Sequence, residues 1–204
     1  MERERLLRRP TREEINDMPL RHYDGPLHIV RNLSEWREAE KDLRSDCVLG
    51  FDTETRPTFR KGKLNSPSLV QLAGANAVYL VQLAWLPFGE PCAQLLADPK
   101  IIKTGVGIHD DMAALARIYP FMPQSCVDLG TVAKANNLPN QGLRTLAANL
   151  FGWRISKGSQ CSNWSSRNLS PRQIAYAATD AWIGRLIYLK LAELGFVDYN
   201  ICNE

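Results

Sequence analysis

Residues 47–51, Cys-Val-Leu-Gly-Phe, form an unbroken apolar run, and Asp52 and Glu54 follow it with one threonine between them. Consecutive apolar positions leave neither face of a strand for water, so the run predicts a strand buried on both sides. If the strand continues through Glu54, both acids project from one face, because side chains alternate along a strand. Two carboxylates side by side at the edge of a core lose hydration and raise each other's cost of ionisation. Either this strand end emerges into water, or a cation compensates the pair, and hard divalent ions with oxygen ligands are the natural ones.

The flanking pattern is that of an α/β domain. "LHIV" (residues 27–30) predicts an edge strand, "SEWREAEKDLR" a helix with Ser34 as its N-cap, and "SLVQLAG" with "AVYLV" an antiparallel hairpin about "ANA". "IIKTGVG" predicts a further strand and "DMAALARIY" the helix after it, while "DLGTVAKANN" and "LRTLAANLF" predict helices. The longest helix starts at Ser170, with Pro171 at its first position and Gln173 as capping-box partner. A mixed β-sheet flanked by α-helices accommodates this order. With 204 residues, 45% of them hydrophobic, the chain has enough material for one core. We place a charged extension at residues 1–24 and the domain proper at 25–204. The acids of "MERERLLRRPTREE" nearly cancel its arginines, which predicts a solvated terminus rather than a nucleic-acid-binding arm.

The net charge of +3 is too small to identify a polyanion binder by itself. Five scattered cysteines, without a C-x-x-C pair or clustered histidines, predict free thiols in a reducing compartment and no zinc site. No apolar stretch is long enough to cross a membrane, so a cytoplasmic protein without a membrane partner is expected.

Two further acidic features end apolar segments. In "GVGIHDD", Asp110 and Asp111 stand where carboxylates cap helices, and one of them is expected to do so. Asp111 lies one turn before Leu115, on the inward side. Gly105 and Gly107 lack the third spaced glycine of a dinucleotide-binding turn. In "YAATDA", Tyr176 and Asp180 share a helical face one turn apart, and apolar neighbours place Asp180 beside the core. Each feature alone has an ordinary structural reading, a solvated strand end, a helix cap or a surface Tyr–Asp contact. Their convergence is a hypothesis at this point.

In order, "FDTET", "GVGIHDD" and "YAATDA" resemble the three exonuclease motifs of the DEDD superfamily, in the tyrosine branch that includes ribonuclease D and the exonuclease domain of the Werner syndrome helicase. "GKLNSPSLVQLA" and "CSNWSSRNLSPRQIAYAATDAW" are similar to the same family, and the likeness runs from about Leu27 to Leu191. The resemblance implies a ribonuclease H-like fold and 3′–5′ hydrolysis of phosphodiesters with two divalent ions, Mg²⁺ or Mn²⁺. By motif position it implies Asp52, Glu54 and Asp180 as direct metal ligands. It also implies Asp111, rather than Asp110, as the residue that holds the second ion through water, and Tyr176 as the group that orients the attacking water. Such ions offset the buried acids and stabilise attacking and leaving oxygens. With a reference pKa of about 10, Tyr176 is better suited to positioning than to general-base work.

The partner so implied is nucleic acid with a free 3′ end, single-stranded or recessed. Candidate substrate contacts are Thr53 between the acids, Arg60 and Lys61 in the basic loop that also holds Arg56, Phe59 and Lys63, and Lys157, Trp164 and Arg167 before the third motif. For Trp164, core packing is slightly favoured over base stacking. Alternatives are a catalytically silent scaffold of the same fold and an oligonucleotide hydrolase. The presence of every motif acid argues against the first. Neither the sugar preference nor the oligomeric state is encoded in any motif.

Overall fold

The computed structural model describes residues 5–58 and 65–197. A six-stranded sheet has the order β2-β5-β4-β3-β6-β7, built from β2 (Leu27–Val30), β3 (Val48–Thr55), β4 (Pro67–Ala73), β5 (Val78–Gln82), β6 (Ile102–Gly105) and β7 (Cys126–Asp128). The β3-β4-β5 part is antiparallel, and the β2–β5, β3–β6 and β6–β7 pairs are parallel. The sheet is therefore mixed, as the sequence predicts, and β3 lies inside it between β4 and β6.

Alternation along β3 sorts its side chains. Leu49 and Phe51 join a core with Trp36, Ala39 and Leu43 of helix α2 (Leu33–Leu43) and with Met112 and Leu115 of α4 (Ile108–Ala116). The opposite face of the sheet packs on α7 (Pro171–Glu193), through Leu69, Val78 and Leu80 against Ala177, Ala178 and Ala181. Ala is the smallest side chain that keeps high helix propensity, so this stripe lets α7 lie close to the sheet. At Gly50 the approach is backbone to backbone: a Cβ there would overlap the Ala181 carbonyl oxygen. Helices α3 (Glu90–Leu96), α5 (Leu129–Ala135) and α6 (Leu143–Phe151) complete the flanking layers.

Local signals are realised unevenly. The α7 capping box forms as expected, with the Ser170 N–H donating to Gln173 Oε1 at 3.0 Å and Pro171 opening the helix. Helix α2 is capped by Asn32 rather than Ser34. Glu35 lies three residues after Asn32, its N–H donates to Asn32 Oδ1 at 3.0 Å, and its carboxylate reaches back to the Arg31 N–H. Neither Asp110 nor Asp111 caps α4. The N-cap is Gly107 at φ 77°, a conformation glycine reaches without a Cβ penalty, and the Asp128 carboxylate accepts from the Gly107 and Ile108 N–H groups.

The N-terminal segment is docked rather than solvated over its described residues. Leu6 is 1% exposed, and the Arg8 carbonyl accepts from Asn140 and Asn149, both at 2.9 Å. Helix α1 (Arg12–Asp17) follows, and β1 (Leu20–Arg21) pairs in parallel with β8 (Arg154–Ile155) as a separate two-stranded ribbon. No described helix is long and apolar enough to cross a membrane. Gly50→Ala forces α7 away from β3. We expect a loss of about 1–3 kcal/mol or more, the usual range for overpacking, seen as a lower denaturant midpoint.

Candidate active site

Strand β3 carries Asp52 and Glu54 on its α7 side, and α7 brings Asp180 over them. Their carboxylate oxygens lie within 4.8 Å of one another, with Glu54 and Asp180 only 8% and 6% exposed. The Thr53 N–H donates to Asp52 Oδ1 at 2.9 Å, whereas Asp180 Oδ1 is enclosed and has no hydrogen-bond partner. Three crowded carboxylates with an orphaned oxygen form a hard-donor set that fits a divalent cation.

Asp111 reaches the site from the opposite face of β3. Thr53 projects to that side and donates its hydroxyl to Asp111 Oδ1 at 2.6 Å. Asp128, whose other oxygen accepts from the Thr131 N–H at 2.7 Å, fixes the start of α4 and with it the position of Asp111. The Thr53 side chain, 9% exposed and expected from its place between Asp52 and Glu54 to meet substrate, is thus engaged in positioning an acid.

Burial drives every one of these acids toward its neutral form, and repulsion from neighbouring carboxylates adds to it at Asp52, Glu54 and Asp111. Asp52 is raised well above the usual carboxylate range by desolvation, then by Asp180, Asp111 and Glu54. Desolvation and the charges of Asp180 and Asp111 push Glu54 up to about 8. Desolvation lifts Asp111 to about 6 against the Thr53 hydrogen bond. Asp180 is lifted to about 6 by desolvation, with the Arg144 cation and the Tyr176 hydroxyl opposing the rise.

Tyr176 stands one turn before Asp180, and burial together with the Asp180 charge raises its phenol, keeping it protonated. Its oxygen accepts from Arg144 Nη2 at 3.0 Å, and the same guanidinium donates from Nε to the Ser156 carbonyl at 3.1 Å. Arg144 also faces the Tyr176 ring at 5.8 Å. Arg144 belongs to none of the three acidic motifs. One local signal points to it: Arg144 is in the first turn of α6, where the helix dipole disfavours a cation.

The other expected substrate contacts are scattered. Trp164 is 2% exposed and packs tilted against Tyr176, ring centroids 6.0 Å apart, so its large apolar surface braces the tyrosine and offers no face to a base. The Arg167 guanidinium lies 4.9 Å over Trp85, and its carbonyl accepts from Gln82 at the end of β5. Gln82 pairs with Leu69 and Leu69 with Glu54, so the Arg167 carbonyl is held by a strand two removed from the one that carries Asp52 and Glu54. Lys157 lines a cleft with Arg144. Arg60 and Lys61, with Phe59 and Lys63, lie outside the described residues.

A family model described as 3′-5′ exonuclease matches residues 27–195. The chain belongs to the 3′-5′ exonuclease family. It is 35% identical over 190 residues to the mouse bifunctional 3′-5′ exonuclease/ATP-dependent helicase WRN, covering 88% of this chain and 14% of that protein. Identity to ribonuclease D of Gluconacetobacter diazotrophicus is 34% over 155 residues, covering 74% of this chain and 38% of that protein. The chain thus spans well under half the length of these relatives. Among solved structures, the Aedes aegypti Nibbler EXO domain superposes with a TM-score of 0.76 at 23% identity, covering 90% of this chain and 95% of that one. Escherichia coli RNase D gives 0.71 at 19% identity, covering 88% of this chain and 48% of that one. The fold is that of these exonuclease domains, and the acidic cluster suits the divalent-metal dependence of the family.

Two outcomes follow from the geometry. In the metal-free protein burial pushes Glu54 up to about 8, and Asp111 and Asp180 up to about 6, against about 4 in the unfolded chain. As pH rises the unfolded chain therefore releases these protons first, and the stability contributed by the protonated acids is lost between about pH 4 and about pH 8. Calorimetry without metal is expected to show a lower midpoint at pH 8 than at pH 5, a smaller drop in Asp52→Asn/Glu54→Gln, and a larger stabilisation by divalent cation at pH 8. Arg144→Met removes the cation beside Tyr176 and is expected to lower kcat about tenfold to a hundredfold, with Arg144→Lys restoring part, because lysine lacks the fork that reaches both partners.

Proposed function

We propose that this chain hydrolyses phosphodiester bonds from the 3′ end of single-stranded or recessed nucleic acid, using two divalent ions, Mg²⁺ or Mn²⁺. The carrying observation is the convergence of Asp52, Glu54 and Asp180 within 4.8 Å, with one buried oxygen left unpartnered. Asp52, Glu54 and Asp180 would hold the ions directly, and Asp111 from the far side of β3. When bound, such ions stabilise charge on the attacking and leaving oxygens and acidify water.

The remaining work falls to the chain itself. Tyr176, clamped by Arg144 and backed by Trp164, presents a hydroxyl that orients a water beside Asp180. Arg144 supplies a fixed positive charge at the same place, where negative charge grows on the phosphoryl group in the transition state. Thr53 and Asp128 hold Asp111 at its post. The likeness to relatives whose names carry exonuclease and ribonuclease D activities supports this reading.

The test is incubation of purified protein with 5′-labelled DNA and RNA strands of graded length, with Mg²⁺, Mn²⁺ or chelator. A metal-dependent ladder shortening from the 3′ end is expected, abolished in Asp52→Asn and Asp180→Asn and reduced about 100-fold or more in Tyr176→Phe. Strand binding without cleavage under every metal condition would sink the catalytic assignment.

A further inference from the structure

The N-terminal segment and the loop after β8 enclose two neighbouring clefts beside Tyr176. One, of about 370 Å³, is lined by Arg21, His22 and Arg172 together with Tyr176. The other, of about 640 Å³, is lined by Arg12, Arg144, Arg154 and Lys157, and Ser156 borders both. Six Arg and Lys residues thus line two adjoining clefts whose linings contain no Asp or Glu, the Arg21 guanidinium lying 5.7 Å over the Trp153 ring beside them. None of the six forms an ion pair among the described residues. Nε of Arg154 is buried without a hydrogen-bond partner.

Apart from Arg144, whose charge meets those of Asp180 and Glu54, these cations are gathered without acids in the cleft linings and repel one another, an arrangement suited to a surface that awaits a polyanion. The segment's own acids lie elsewhere: Glu14 pairs with Arg8 at 2.8 Å, and Glu13, Asp17 and Asp24 line neither cleft. The segment is also fixed in place. Besides β1–β8 pairing, the Tyr23 N–H donates to Thr179 Oγ1 on α7 at 3.0 Å. Along α7, Arg172, Ala175, Tyr176 and Thr179 follow at helical spacing, so the cleft wall that starts at Arg172 passes along one side of Tyr176 while Asp180 lies on the other.

We infer that the N-terminal segment is part of the substrate-binding surface: Arg12 and Arg21, with Arg172, hold the phosphate backbone of the strand whose 3′ end lies at the acids. The inference rests on the exonuclease reading for the direction of the strand. The charge, the clefts and the docking of the segment stand without it.

The test measures binding of a fluorescein-labelled single-stranded oligonucleotide by anisotropy, in chelator so that nothing is cleaved, across a KCl series. Wild type is compared with Arg12→Gln/Arg21→Gln/Arg172→Gln and with Arg37→Gln/Lys41→Gln/Lys100→Gln, an equal loss of charge on exposed residues away from the clefts. Three lost phosphate contacts are expected to weaken binding about tenfold or more and to make the slope of log K against log salt shallower by about 2, with the control close to wild type. Arg12→Gln/Arg172→Gln leaves β1 intact and is expected to make it shallower by about 1.4, whatever becomes of the triple variant's fold. Wild-type affinity and slope in that double variant would overturn the inference. Hydrolysis by wild type with Mg²⁺ or Mn²⁺, run in parallel, separates the two readings. Cleavage with an unaltered variant slope removes the surface and keeps the exonuclease, and salt-sensitive binding lost in the variants without any cleavage does the reverse.

Discussion

Contact between the backbones of α7 and β3 at Gly50 and Ala181 governs the rest of the architecture. A helix normally stands off a sheet by the thickness of two side-chain layers, but here alanines and a glycine remove most of that spacing. Asp180 consequently descends onto Asp52 and Glu54 instead of standing above them. The arrangement is electrostatically unfavourable in the bare protein, since all three groups are desolvated together and resist ionisation. Apolar clusters on both faces of the sheet hold it closed against that repulsion. Stability and chemistry therefore pull against each other at one point, as expected for a site that gains its favourable form only with a cation.

Strand β3 contributes to the site from both faces. Its even-numbered acids point to α7, while Thr53 points to α4 and holds Asp111. A single residue of register slip would send Asp52 and Glu54 into the core against Trp36 and Met112. Pairing on both sides, with β4 from Gly50 to Thr55 and with β6 from Val48 to Gly50, prevents that slip. The positive side of the site is assembled from more distant chain: Arg144 from α6 reaches Tyr176 on α7 and the Ser156 carbonyl beyond β8.

What the sequence discloses follows from the range of each interaction. The buried strand, the hairpin, the α7 capping box and the three acidic motifs depend on near neighbours or on period, and they are legible. Ser34 is a sound capping candidate locally, yet Asn32 prevails because its side chain accepts from the Glu35 N–H while the Glu35 carboxylate accepts from the Arg31 N–H. The sequence predicts a cap from one of Asp110 and Asp111, but Asp128, a carboxylate from the neighbouring β7, does that work. Trp164 and Thr53 carry no pattern that separates burial from contact with a ligand. Arg144 leaves only a weak trace, a cation in an unfavourable helical turn, whose reason lies on another helix.

The docking of the N-terminal segment has a consequence for the order in which the molecule is made. Asn149, which closes onto the Arg8 carbonyl, lies 141 residues further along the chain, and β1 has to wait for β8 in the same way. At usual rates of elongation the interval is on the order of ten seconds. Until Asn140 and Asn149 have been made, the Arg8 carbonyl lacks its native donors. The segment before β2 is thus captured late, and the basic clefts take shape only when β8 and α7 are in place.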